Sequence, residues 1–97
     1  MSYDFGIGND DFNLTYNVAP MLYKAFGEGG LRSLYGMTGN ESFGKIMKAL
    51  HYFKSHKEEL EALNPDNGWG SYDSTLEVLS RMLPACIGNL DDVWEGD

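Results

Sequence analysis

Two segments of this 97-residue chain gather side-chain amides and aromatics: Asn13, Thr15 and Asn17 in the first, and Asn64, Asn67, Trp69 and Tyr72 in the second. An amide both donates and accepts hydrogen bonds, and Trp and Tyr offer a flat face with a polar tip. Such a set suits non-covalent binding of a neutral polar ring, such as a base or a sugar. A phosphate on the same ligand would find Arg32, or Lys45 and Lys48, which share the polar face of a central helix with His51 and Tyr52. Each residue also has an ordinary use. Asn and Gly favour turns, Asn17 can cap a helix, and Trp69 can plug the core under its loop. Lysines commonly solvate a helix face, and Glu41 with Lys45 makes an i,i+4 pair that needs no ligand.

Residues for catalysis or metal binding do not converge in the sequence. His51 and His56 would sit about 140° apart on a helix and cannot share a metal locally. Cys86 falls on an apolar stripe, where a buried structural thiol is expected rather than a nucleophile. Gly6-Ile-Gly8 and Gly68-Trp-Gly70 lack the third glycine and the strand-to-helix setting of a dinucleotide loop. The loop after Asn64 alternates Asn64, Asp66 and Gly68 as a calcium loop does. It has Trp69 where the turn glycine belongs and Thr75 in place of the bidentate glutamate. Adjacent acids (Asp10-Asp11, Glu58-Glu59, Asp91-Asp92) suggest solvated charge, not a carboxyl with a raised pKa. The expectation is a protein that is not an enzyme and uses no metal or cofactor.

Charge gives a third group of candidates. Fifteen Asp and Glu stand against seven Lys and Arg, a formal charge of −8. Asp4, Asp10 and Asp11 lie near the start, and Asp91, Asp92, Glu95 and Asp97 at the end. Asp91, Asp92 and Glu95 would form an acidic surface for a basic partner. The same sign argues against direct binding to nucleic acid or to an anionic membrane. No apolar run is long enough for a transmembrane helix, no basic-then-apolar leader opens the chain, and a single cysteine forbids an internal disulfide. A cytoplasmic location is expected.

The elements that must position these residues follow from periodicity. Residues 1–11, rich in Gly and Asp, read as a flexible acidic lead-in. Phe12, Leu14 and Tyr16 alternate with polar residues as in a strand. Asn17 then caps a helix from Val18, with Pro20 in its first turn, and Gly27 to Gly30 end it. Thr38 and Glu41 have capping-box spacing and open a central helix with a stripe of Phe43, Ile46, Met47, Leu50 and Phe53. Ser55 and Glu58 repeat that spacing, which predicts a break near Ser55 and a short helix over 56–63, stopped by Asn64-Pro65. The last helix spans about 72–87, with Tyr72, Leu76, Leu79, Leu83 and Cys86 inward and Pro84 outward, bending the helix without ending it. Val93 to Glu95 could pair with Phe12 to Tyr16. The expected fold is mainly α (α+β): a compact bundle of three to four helices, with a short two-stranded sheet joining the N- and C-terminal segments. It occupies 12–95 as one domain and leaves 96–97 as a tail.

The segment from Asp11 to Met21, followed by Asn64-Pro-Asp-Asn67-Gly-Trp69-Gly-Ser-Tyr72, resembles a family of small proteins of bacteriophages, prophages and bacterial genomes. The resemblance runs from about Asp11 to Trp94 and rests on a Thr-x-Asn-x-x-Pro-Met segment and an Asn-Pro-x-Asn-Gly-Trp-Gly-x-Tyr loop. Leu83-Pro-Ala85-Cys86 matches a Leu-x-Ala-Cys helix end, whereas Gly29-Gly30, Pro84 and the acidic tail depart from the pattern. The family has no assigned activity. The resemblance implies a shared fold, a phage accessory role, and a site at Thr15, Asn17, Asn64, Asn67, Trp69 and Tyr72.

Three functions are therefore expected, in this order. The first is a counter-defence protein that sequesters a small nucleotide-like ligand. The second is an acidic inhibitor that binds a host nuclease or CRISPR-type defence complex, in part by nucleic-acid mimicry. The third is a phage structural or assembly protein whose six tyrosines, five phenylalanines and five methionines supply a homo-oligomer interface.

Overall fold

A computed structural model describes residues 1–97. Helices dominate, and a small antiparallel sheet completes an α+β domain, as expected. The first difference is at the start. Ser2–Ile7 form a strand, β1, so residues 1–11 are not a flexible lead-in. Tyr3, Phe5 and Ile7 alternate with Ser2, Asp4 and Gly6 and are buried, which pins the segment to the core. A two-residue turn at Gly8-Asn9, with Gly8 at φ +58°, returns the chain into β2, Asp10–Thr15. β3, Trp94–Gly96, pairs with β1 and not with β2, giving the strand order β2-β1-β3. Residues 96–97 are no loose tail either: Asp97 N donates to Asp4 O at 3.3 Å, and Asp4 N donates to Asp97 Oδ1 at 3.1 Å.

A 3-10 turn at Tyr16–Val18 leads into α1, Ala19–Phe26. Asn17 is not the cap. Thr15 caps the turn, its Oγ1 accepting from Asn17 N, and Val18, at the N-cap of α1, gives no side-chain cap. Pro20 in the first turn removes one donor that would need a partner. A second 3-10 turn, Gly30–Leu34, precedes α2, Gly39–Ser55. The Thr38–Glu41 capping box is closed in both directions, at 3.0 and 2.9 Å. Glu41 is thus folded back on Thr38 N and does not pair with Lys45. α3 spans only Lys57–Glu61, after the expected break at His56. The second box does not form, because Ser55 Oγ bonds back to His51 O at 2.8 Å. α4, Tyr72–Gly88, runs through Pro84, which is exposed.

α2 and α4 pack against each other and against the sheet's inner face. Ile46, Leu50 and Phe53 of α2 and Tyr72, Leu79 and Cys86 of α4 are buried as expected, but each stripe is shifted at its margins. α2 buries Ser42, Ile46, Ala49, Leu50 and Phe53 and leaves Met47 46% exposed. α4 buries Thr75 and Met82 and only half-buries Leu76 and Leu83. The shift in α2 follows from Trp94, which is fully buried against Phe5 and Phe12 and donates Nε1–H to Ser42 Oγ at 2.8 Å. Ser42 Oγ also meets Cys86 Sγ at 3.4 Å, so Cys86 is buried inside a polar contact. Turning Ser42 inward to satisfy the indole forces the stripe around the helix.

Candidate functional site

The turn at Thr15 positions the first amide segment. Thr15 Oγ1 accepts from Asn17 N at 3.3 Å and from Asn17 Nδ2 at 3.0 Å. Asn13 stands on the outer face of β2, where its amide donates to Ser2 Oγ at 3.1 Å and to Asp4 Oδ1. In the second segment Asn64 Oδ1 accepts from Tyr72 N at 2.8 Å and ties the two ends of the 64–71 loop together. Asn67 Oδ1 accepts from Trp69 N at 2.9 Å, an Asx turn. Tyr72 is buried and donates its hydroxyl to Phe53 O at 2.6 Å; burial first, then Glu61 and Asp73, pushes the phenol pKa above its usual value. Most of these polar groups are therefore used by their own turns and helix ends.

The two segments do meet. Gly70, at φ +87°, lies on the Thr15 turn: a Cβ there would come 2.5 Å from Thr15 Cγ2 and 2.9 Å from Val18 Cγ1. Only a glycine lets the loop sit this close. Trp69 beside it does not plug the core but is 69% exposed. Asn17 is exposed as well. Neither lines any of the three main surface grooves.

Of the phosphate candidates, Arg32 is committed elsewhere. Its guanidinium lies over the rings of Tyr3 (4.9 Å) and Tyr16 (5.4 Å) and donates to Tyr16 OH at 3.1 Å and Asp97 O at 2.8 Å. A phosphate would have to displace those contacts. Burial raises the pKa of the Tyr3 hydroxyl and Tyr23 adds to it, while the nearby Arg32 charge offsets part of the rise. Lys45 and Lys48 stay on the solvent side of α2, and neither is in an ion pair.

The acidic ends come together through β1. By the strand register, Glu95, Gly6 and Asp11 form one row across the sheet, and Asp4 pairs with Asn13 in the next, where hydrogen bonds to Asp4 add Asp97. Both rows lie on the face opposite buried Phe5, Ile7 and Trp94, so Asp4, Asp11, Glu95 and Asp97 share the exposed face. Asp10 accepts from Asn89 Nδ2 at 2.9 Å beside the hairpin tip, and Asp91 and Asp92 continue from Asn89. The only salt bridge in the molecule joins Lys24 to Glu59 at 3.4 Å, so none involves the sheet-face carboxylates.

One feature was missed from sequence: a groove between β2 and α4, of about 580 Å³ in its larger part, lined by Asp4, Asp11, Phe12, Asn13, Val78 and Arg81. It continues along Pro84 and Ala85. The Arg81 guanidinium lies 5.5 Å from the Phe12 ring and makes no salt bridge. Val78, Arg81 and Ala85 share one side of α4, at i, i+3 and i+7, a spacing that signals the groove only once β2 is known to lie beside it. Asn13 is the one amide-set residue that reaches it. No three His, Cys, Asp or Glu side chains are arranged to hold a metal ion, and no helix is long and apolar enough to cross a membrane. The chain matches no family model, no curated protein and no solved structure.

Proposed function

We propose that this chain acts by binding, presenting its carboxylate-lined sheet face to a basic surface of another protein and competing there with nucleic acid. In the phage setting that the resemblance implies, that surface belongs to a host nuclease or an RNA-guided defence complex. One observation carries the reading: three strands place Asp4, Asp11, Glu95 and Asp97 on one exposed face, and none of their side-chain carboxylates is in a salt bridge. Two carboxylates about 7 Å apart in water repel by about 0.6 kcal/mol. A basic partner turns that repulsion into attraction and gains a steered, salt-sensitive approach.

The test uses a fluorescein-labelled oligolysine as probe and anisotropy as readout. Asp11→Asn with Glu95→Gln removes two charges from the face; Glu58→Gln with Glu61→Gln removes two from α3. The reading expects the first pair to weaken binding about 10-fold and the second by less than about 3-fold, with an affinity that falls steeply with salt. Equal losses from the two pairs would reduce the effect to net charge and reject it.

Sequestration of a nucleotide-like ligand remains as a second reading because Gly70 seats the 64–71 loop on the Thr15 turn and leaves Trp69 exposed beside it. It expects Trp69 fluorescence to change when mono- and dinucleotides are added, against a constant signal from buried Trp94. A flat titration would remove it.

A further inference from the structure

The sheet has two edges, and only one is closed. Gly36 N donates to Trp94 O, and Trp94 N to Met37 O, both at 2.9 Å, so the chain itself covers the outer side of β3. β2 has no such cover. Tyr16 N donates to Met1 O at 3.2 Å, and in an antiparallel ladder directly bonded pairs alternate. Tyr3–Leu14, Phe5–Phe12 and Ile7–Asp10 are therefore the bonded pairs, and the backbone N–H and C=O of Asp11 and Asn13 point away from β1. None of the loop and cap hydrogen bonds reaches those four groups. They lie beside the groove between β2 and α4, whose lining includes the same two residues.

We propose that this edge takes an extended segment of a partner protein as a fourth strand, with basic and apolar residues alternating. The proposal rests on the carboxylate-face reading and says how the partner engages it. Charge selects the segment. Cross-strand neighbours share a face, so a residue opposite Asp11 or Asn13 emerges on the outer face beside Asp4 and Asp11, where a lysine or arginine is favoured. A residue opposite Phe12 turns inward toward Phe12, Val78 and Ala85, where Arg81 repels a cation and an apolar side chain fits. Six residues of β2 leave room for a segment of about five residues, roughly 17 Å long. Backbone pairing supplies affinity, and the alternate side chains supply specificity. The acids at Asp10 and Asp11 also protect the edge, since a neutral or acidic strand gains nothing by pairing there.

The experiment titrates the full-length chain with a labelled peptide, acetyl-Lys-Val-Lys-Val-Lys-amide, and with two versions N-methylated on either the lysines or the valines. An added strand points alternate amides at β2. One methylated set should lose at least about 10-fold in affinity and the other less than about 2-fold, and antiparallel addition makes the lysine set the sensitive one. In parallel, amide exchange of Asp11 and Asn13 should slow at least about 10-fold when the parent peptide is bound, because those N–H groups gain partners. Equal effects of the two methylated sets, or unchanged exchange at Asp11 and Asn13, would overturn strand addition. If Asp11→Asn with Glu95→Gln still weakens the parent peptide in that case, the carboxylate-face reading survives alone. If the parent peptide does not bind, both fail.

Discussion

Replacing Gly70 by alanine tests whether the 64–71 loop is seated on the Thr15 turn. Two costs add. An L-residue held at φ +87° costs about 1–2 kcal/mol. Its Cβ would lie 2.5 Å from Thr15 Cγ2 and 2.9 Å from Val18 Cγ1, an overpacking cost of about 1–3 kcal/mol. Gly68 is the matched control, at φ +77° with nothing within 4 Å of its added Cβ, so Gly68→Ala carries the first cost alone. Gly70→Ala should therefore be destabilising by about 3 kcal/mol and Gly68→Ala by about half that. Thr15→Ser deletes Cγ2 but keeps the Oγ1 that accepts from Asn17. Combined with Gly70→Ala it should recover about 1 kcal/mol, a coupling within the usual range for touching residues. Urea unfolding followed by tryptophan fluorescence reads the wild type, the three single variants and the double variant. At an m-value of about 2 kcal/mol/M the two glycine variants should differ by roughly 0.7 M in midpoint. Equal midpoints for the two, or no coupling to Thr15, would refute the seating.

Ser42→Ala leaves the buried Trp94 indole N–H without an acceptor and should cost about 1–3 kcal/mol in urea unfolding; a loss under about 0.5 kcal/mol would mean the bond contributes nothing. Tyr3, Tyr35 and Tyr72 are all held above the usual phenol value of 10.0, chiefly by burial. Above pH 10 the unfolded chain releases those protons while the folded chain keeps them, so stability should be level below that pH and fall as pH rises through the folded values. Urea midpoints that stay constant well above pH 10 would contradict this. Trp69→Ala removes an exposed side chain and should move stability by less than about 0.5 kcal/mol, and a larger loss would place Trp69 in the core after all.

Helix starts with strong local chemistry were legible in the sequence. The Thr38–Glu41 box and the run of α4 through Pro84 follow from side chains acting within a few residues of themselves, and a break falls at His56, beside the expected Ser55, although the Ser55–Glu58 box that signalled it does not form. β1 was equally legible in pattern, because Tyr3, Phe5 and Ile7 alternate with Ser2, Asp4 and Gly6 and a Gly8-Asn9 pair follows. The glycines and aspartates of residues 1–11 mask that alternation. Without β1 the sequence offers β3 no partner but β2, whereas β3 pairs with β1. The α2 stripe keeps Ile46, Leu50 and Phe53 but takes in Ser42 rather than Met47, because Ser42 faces inward for Trp94, a partner 52 residues away that no local period reveals. The candidate site shows the same limit. Residue type marked Asn64 and Asn67 as hydrogen-bonding groups, yet only the folded loop shows them bonding to Tyr72 N and Trp69 N. The β2–α4 groove depends on two elements far apart in sequence and had no local signal.

The central claim is that a particular set of carboxylates, rather than total charge, makes the binding surface. The most direct measurement follows the side-chain carboxyl ¹³C resonances of all 15 acids while the oligolysine probe is added. The account predicts shifts concentrated at Asp4, Asp11, Glu95 and Asp97, with Glu58, Glu59, Glu61, Asp66 and Asp73 nearly still. Shifts spread evenly over all the acids, or centred on the Asn17–Trp69 region, would contradict it.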